Sequence, residues 1–146
     1  MRALLLALAL IAPAASTLGQ PPASNLIHAE VNGLRNSKGQ VVCSLFASAE
    51  GFLKDDQKAV ARTKSSIAGG HAVCEFPAVA PGRYAIEAFH DENSNNKLDT
   101  NFIGMPREGV GTSNNPKGHF GPPRFDDAAF SYSGGRQQLT IKITYL

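Results

Sequence analysis

The chain has 146 residues, 42% of them hydrophobic, and a formal charge of +2 at neutral pH. That length suits one domain with a real core. The near-neutral balance, with signs interspersed, excludes the basic stripe of a nucleic-acid binder and gives no electrostatic reason to dock on anionic lipid.

The first elements are export signals. Arg2 is a short positive region and Ala3 to Ile11 an unbroken apolar run. Ala12-Pro13-Ala14 or Ala14-Ala15-Ser16 follows as a small-residue cleavage site, so residues 1–19 read as a signal peptide cut between 14 and 20. The apolar run is shorter than the ~20 residues a bilayer span needs, and no later segment qualifies as a membrane span. With Arg2 removed, the formal charge falls from +2 to +1. The mature chain, residues 20–146, is expected to be periplasmic or secreted.

Period-two alternation then dominates. Ile27, Ala29 and Val31 alternate with His28, Glu30 and Asn32, and Arg35 to Gly39 reads as a turn. Val41, Cys43 and Leu45 share one face of the next strand. Ala49 to Arg62 is the best candidate helix, with Phe52, Leu53, Ala59 and Val60 able to line one face and Gly51 weakening its start. Ala72, Cys74 and Phe76 form a third alternating set. After a Pro81-Gly82 turn, Tyr84, Ile86 and Ala88 alternate with Ala85, Glu87 and Phe89. The last strand carries Leu139, Ile141, Ile143 and Tyr145 on one face. Short strands, many turns and little helix predict an all-β sandwich of roughly six or seven strands. Cys43 and Cys74 both fall on the core-facing parity. In an oxidising compartment a disulfide is expected, with two buried thiols as the alternative.

Asp91 to Arg124 interrupts this pattern with a long loop rich in glycine, proline and asparagine. Loops of that length inside a compact domain tend to be functional or disordered. It opens on a ladder in which Asp91, Asn93, Asn95 and Asp99 place a side-chain oxygen at alternate positions, with Lys97 offering its backbone carbonyl. That register matches positions 1, 3, 5, 7 and 9 of the EF-hand calcium loop. Asn96 stands at the usual glycine, tolerable because asparagine visits the left-handed region. Phe102 stands where a closing glutamate belongs, and a strand precedes the loop in place of a helix. The reading is an EF-like loop on a β scaffold that takes Ca²⁺ weakly, with Kd on the order of 10⁻⁴–10⁻³ M. Glu108, Asp126, Asp127 and Glu92 are candidates to close it. The competing reading is a polar loop of Asx turns.

Other chemistry is weaker. Asp91, Glu92 or Glu108 with His90 or His119 could serve a small hydrolase or sugar-active enzyme. The Gly104–Gly111 segment lacks the lysine and following helix of a phosphate loop and reads as a tight turn whose glycines permit positive φ. Ser113 lies outside any nucleophile motif. Phe125 and Phe130 read as plugs of core positions, with a Pro122-Pro123-Arg124-Phe125 docking patch as the alternative.

Gly82-Arg83-Tyr84-Ala85-Ile86, Phe89-His90-Asp91-Glu92-Asn93, Lys97-Leu98-Asp99, Gly104-Met105-Pro106-Arg107-Glu108-Gly109, Ser113-Asn114 and Phe125-Asp126-Asp127-Ala128 together resemble an exported bacterial family, domain of unknown function 2141. The resemblance covers nearly all of the mature chain. It implies an immunoglobulin-like or transthyretin-like β-sandwich and no activity. The leading expectation is thus a non-enzymatic exported binding or accessory domain with a calcium-organised loop and an unspecified protein or small-molecule partner. A structural or assembly domain without metal is the remaining alternative.

Overall fold

A computed structural model describes residues 24–117 and 120–146. The expected signal segment therefore lies outside the described residues, as does His119. Eight strands are present among them. β1 spans Leu26–Asn32, β2 Gln40–Phe46, β3 Ala61–Ser65, β4 Ala72–Pro77 and β5 Gly82–Asp91. β6 spans Val110–Thr112, β7 Phe130–Tyr132 and β8 Arg136–Lys142. Five of them, β1, β2, β4, β5 and β8, carry the alternation seen in the sequence, and β3, β6 and β7 bring the count to eight where six or seven are expected.

They form a three-stranded sheet, β4-β1-β8, and a five-stranded sheet, β3-β2-β5-β6 with β7 on β5. β1 and β8 run parallel, while the other pairs of neighbours are antiparallel. The facing sides bury the alternating sets: Ile27, Ala29 and Val31 of β1, Val41, Cys43 and Leu45 of β2, Cys74 and Phe76 of β4, and Ile86 and Ala88 of β5. This is the all-β sandwich that the alternation predicts. Cys43 and Cys74 are bridged across the two sheets, with their Cα atoms 6.3 Å apart.

The second layer is less conventional. β2 and β5 are buried on both faces, since Val42, Ser44 and Phe46, and Ala85 and Phe89, are as buried as their inward neighbours. A smaller core outside the five-stranded sheet explains part of this. Phe46, Phe52, Ala85, Phe125 and Ala128 pack there, with edge-to-face contacts at 5.5 Å for Phe46–Phe52 and 5.8 Å for Phe52–Phe125.

Phe52 comes from the segment expected to be helical. Instead of a helix over Ala49–Arg62, residues 49–60 are a chain of turns with one 3-10 turn at Asp56–Lys58, and β3 begins at Ala61. Gly51 (φ 79°) and Leu53 (φ 59°) are left-handed, and a helix cannot continue through them. The long excursion is likewise divided. β6 pairs with Glu87–Phe89 of β5, leaving one loop from Glu92 to Gly109 and another from Ser113 to Ala129. The second closes on a single helical turn, α1, Phe125–Ala128.

The disulfide closes a segment of 31 residues in sequence. Loop-closure entropy gives such a bridge about 3–4 kcal/mol. Replacing both cysteines by alanine is expected to lower Tm by roughly 10 °C or more in thermal unfolding, with reduction of the native protein giving a similar loss.

Candidate functional site: the aspartate-asparagine loop

β5 delivers the ladder. Its last residue, Asp91, is fully buried, and its carboxylate organises the turn that follows. Oδ1 accepts the Asn95 N–H at 3.0 Å, Oδ2 accepts the Asn96 N–H at 2.9 Å, and Gln40 Nε2 donates to Oδ2 at 2.8 Å. Ser94 and Asn96 both have positive φ, 58° and 65°, so the chain doubles back and alternate side chains point inward. Asn96 thus takes the left-handed conformation that position 6 demands.

The remaining ladder side chains meet at Asp99. Asn93 Nδ2 donates to Asp99 Oδ2 at 2.6 Å, and Asn95 Nδ2 donates to Oδ1 and Oδ2 at 3.0 and 3.2 Å. Their amide oxygens accept N–H groups two residues on, Asn95 at 3.1 Å and Lys97 at 2.9 Å. These are Asx turns, as the polar-loop reading of the sequence has them. Each amide oxygen has a second lone pair, which leaves it able to face a cation.

Glu108 ties the two ends of the loop together. Its Oε1 accepts the Glu92 N–H at 2.9 Å and its Oε2 the Asp99 N–H at 3.1 Å. Burial pushes its carboxyl upward, as do the neighbouring Asp99 and Asp91 charges, while the two N–H bonds pull the other way. Of the expected closing carboxylates, Glu108 reaches the loop and the others are occupied elsewhere. Glu92 is held by Arg35 and Asn36. Burial raises its carboxyl, but those hydrogen bonds outweigh burial and the net shift is downward. Asp126 pairs with Arg83 at 2.8 Å, and Arg83 lies about 26 Å along β5 from Asp91. Asp127 accepts the Arg124 N–H at the start of α1.

The expected acid-base constellation does not assemble around His90. Its ring is buried, with Nδ1 2.7 Å from the Tyr145 hydroxyl and Nε2 2.7 Å from the Lys38 carbonyl. Because a carbonyl only accepts, Nε2 carries a proton and both ring nitrogens are engaged. The imidazole is a strut between β5, the β1–β2 turn and the carboxyl-terminal segment. Gly39 of that turn sits against the Asp91 carbonyl with no room for a Cβ. In the 104–111 segment only Gly104 has positive φ among its glycines. Gly109 and Gly111 are needed because a Cβ on either would collide with Ile143, Tyr145 or the Lys142 carbonyl.

One feature escaped the sequence. Ser113 is buried; its hydroxyl donates to the Ala128 carbonyl at 2.6 Å and accepts the Ile86 N–H at 2.9 Å. Phe125 turns into the second core beneath Arg83, 5.3 Å from the guanidinium carbon, so the Pro-Pro-Arg-Phe segment does not present that aromatic ring outward. Phe125 and Phe130 both plug core positions, as the sequence leads one to expect.

Residues 29–140, most of the chain, match the model of a family described as an uncharacterized protein conserved in bacteria (DUF2141). The chain belongs to that family. No curated protein and no solved structure matches it. In this DUF2141 domain no helix among the described residues is long and apolar enough to cross a membrane. Nor do the described residues contain a group of three or more histidine, cysteine, aspartate or glutamate side chains placed for a metal. The ladder's side-chain oxygens belong to two carboxylates, Asp91 and Asp99, and two amides, Asn93 and Asn95.

A second polar cluster lies beside the ladder, on the outer face of the five-stranded sheet. The Glu87 carboxyl is pushed up to about 7 by burial and then by the Asp56 carboxylate, against the Leu53 N–H bond and the Arg62 charge. Arg62 pairs with Asp56 at 2.7 Å and donates to the Asn96 carbonyl at 2.8 Å. A carboxyl raised on folding from its ordinary 4.5 favours the folded state at low pH, and that advantage is lost as pH rises through about 7. Wild-type stability is expected to fall by roughly 2–3 kcal/mol between pH 4.5 and 8 from this group. Glu87→Gln should flatten that slope in denaturant titrations and exceed wild type above pH 7.

Proposed function

We propose that this DUF2141 domain is an exported, non-enzymatic binding or accessory module whose 91–99 loop takes Ca²⁺. Asp91, Asn93, Asn95 and Asp99 ligate by side chain and Lys97 by its backbone carbonyl. Water completes the six to eight oxygens that calcium prefers. The observation that carries this reading is the doubling-back of the ladder, which gathers Asn93 and Asn95 around Asp99 while Asp91 anchors the turn. Glu108 supports the site from behind by bonding both ends of the loop. That bracing replaces the covalent neighbourhood that a closing glutamate has in an EF-hand. Two ligating carboxylates and amides already bonded to Asp99 both favour weak affinity, with Kd on the order of 10⁻⁴–10⁻³ M. The apolar amino-terminal run and the disulfide support a periplasmic or secreted location.

A metal-independent assembly role is the second reading. It is favoured by the completeness of the internal Asx bonding, which gives the loop a shape without any ion. A stable partner drawn from periplasm in the presence of chelator would support it.

Calorimetric titration with Ca²⁺ separates the two. Saturation near 10 mM is expected to raise Tm by about 5–10 °C. Asp99→Asn keeps the side-chain shape and should weaken binding at least tenfold. No heat and no rise in Tm for wild type would rule the calcium reading out.

A further inference from the structure

The turn directly beyond the ladder carries a feature that neither the core nor the proposed ion uses. Phe102, Ile103 and Met105 are 97%, 69% and 43% exposed. The other large exposed apolar side chains among the described residues, such as Val60 and Leu146, are dispersed along the chain. Only here do three stand within four consecutive positions. Exposed apolar side chains are common singly, but a cluster at a loop tip marks a contact site.

The backbone of this turn says what kind of contact. Asn101 Oδ1 accepts the N–H groups of Ile103 and Met105, both at 3.0 Å. Gly104 N–H donates to the Asn101 carbonyl at 3.0 Å, and Asn101 N–H to the Met105 carbonyl at 2.9 Å. Thr100 and Pro106 pair as an antiparallel bridge at its foot. The N–H groups of residues 101, 103, 104 and 105 are thus used within the turn, Pro106 has none, and the Phe102 N–H is the one donor left open there. Strand addition by a peptide partner needs open N–H groups, and a hydrocarbon medium needs them closed. With a single open donor, the turn lacks the row of N–H groups that strand addition needs and comes nearer the second requirement.

Charge agrees with that choice. Thr100 to Pro106 contains no ionisable residue. Asp99 adjoins it with its carboxylate bonded to the Asn93 and Asn95 amides, while Lys97 and Arg107 flank it, both exposed, and neither of these cations has an ion pair among the described residues. Apolar tips with cations at the foot complement an anionic headgroup layer, because the long side chains lay their stems on the apolar part and leave their charge at phosphate depth. The foot is also fixed, since Arg107 N–H donates to the Asp99 carbonyl at 2.8 Å, so little ordering is needed on contact.

We propose that the 100–106 turn is a docking tip for a lipid surface bearing anionic headgroups, with Phe102, Ile103 and Met105 entering the interface and Lys97 and Arg107 contacting phosphate. The near-neutral chain is not drawn in by long-range attraction, so contact is short-range and led by the tip. The turn is built on Asn101 and not on the ladder side chains, and docking therefore does not rest on the calcium reading.

Sedimentation with vesicles tests this, using phosphatidylglycerol mixed with phosphatidylcholine against phosphatidylcholine alone, each with EDTA and with Ca²⁺. Wild type is expected to pellet with the anionic vesicles even in EDTA, which separates this proposal from the ion site. Phe102→Ser with Ile103→Ser should weaken binding at least about tenfold, and Lys97→Gln with Arg107→Gln severalfold. Both pairs are solvent-facing, so unchanged Tm serves as the folding control. Phe102→Trp offers a second readout, a blue-shifted emission on vesicle addition. Wild type left in the supernatant with both vesicle types would overturn the proposal, as would equal pelleting by the serine variant. Equal pelleting with phosphatidylcholine alone would overturn the anionic preference.

Discussion

Every polar group that β5 carries into a dry environment must find a partner, and much of this structure follows from that requirement. From Tyr84 onward β5 is covered on both faces, yet it holds Glu87, His90 and Asp91. An unpartnered buried polar group costs on the order of several kcal/mol. Accordingly, no buried side-chain nitrogen or oxygen among the described residues lacks a hydrogen bond. His90 recruits the Lys38 carbonyl and Tyr145, which fixes the β1–β2 turn and the end of the chain. Asp91 recruits Gln40 and the backbone of the ladder. Glu87 recruits the Leu53 N–H, and that bond helps hold Leu53 in its left-handed conformation. The loops are arranged around the needs of one strand.

The aspartate-asparagine loop holds its shape without flanking helices. An EF-hand relies on flanking helices and a glutamate at position 12 to hold its ends. Here Asp91 is held by the sheet, and the far end is held by Glu108 through backbone N–H groups. Arg62 adds a third tether at the Asn96 carbonyl. The loop is thus braced from three strands or their extensions, and the apolar turn beyond it inherits a firm foot.

Much of this was legible beforehand because burial imposes a period. Ile27, Ala29 and Val31, or Tyr84, Ile86 and Ala88, alternate since one side faces the other sheet, and Cys43 and Cys74 share that parity. The reading failed where a second layer erased the period. Val42, Ser44 and Phe46 are buried on the outward face, and nothing local announces the phenylalanines that cover Phe46. Ala49–Arg62 has apolar spacing that suits a helix, but its apolar residues serve a core assembled from distant segments. β3 was hidden by Arg62 and Lys64, which face solvent on an edge strand. In the site, the ladder was plain because its chemistry is local. Glu108 could be suspected only as a nearby carboxylate, since its role depends on a fold that returns residue 108 to residues 92 and 99.

The Ser113 hydroxyl, bonded to β5 on one side and to the end of α1 on the other, acts as a partition. It pins the chain where it leaves β6 and again where it re-enters at Ala128. The 92–109 and 113–129 loops are therefore separate modules hung from opposite ends of one strand. Length and composition can drift in the proline-rich module without altering the geometry of the asparagine-rich one. Across the descendants of such a domain, the two loops are free to evolve at different rates and toward different partners.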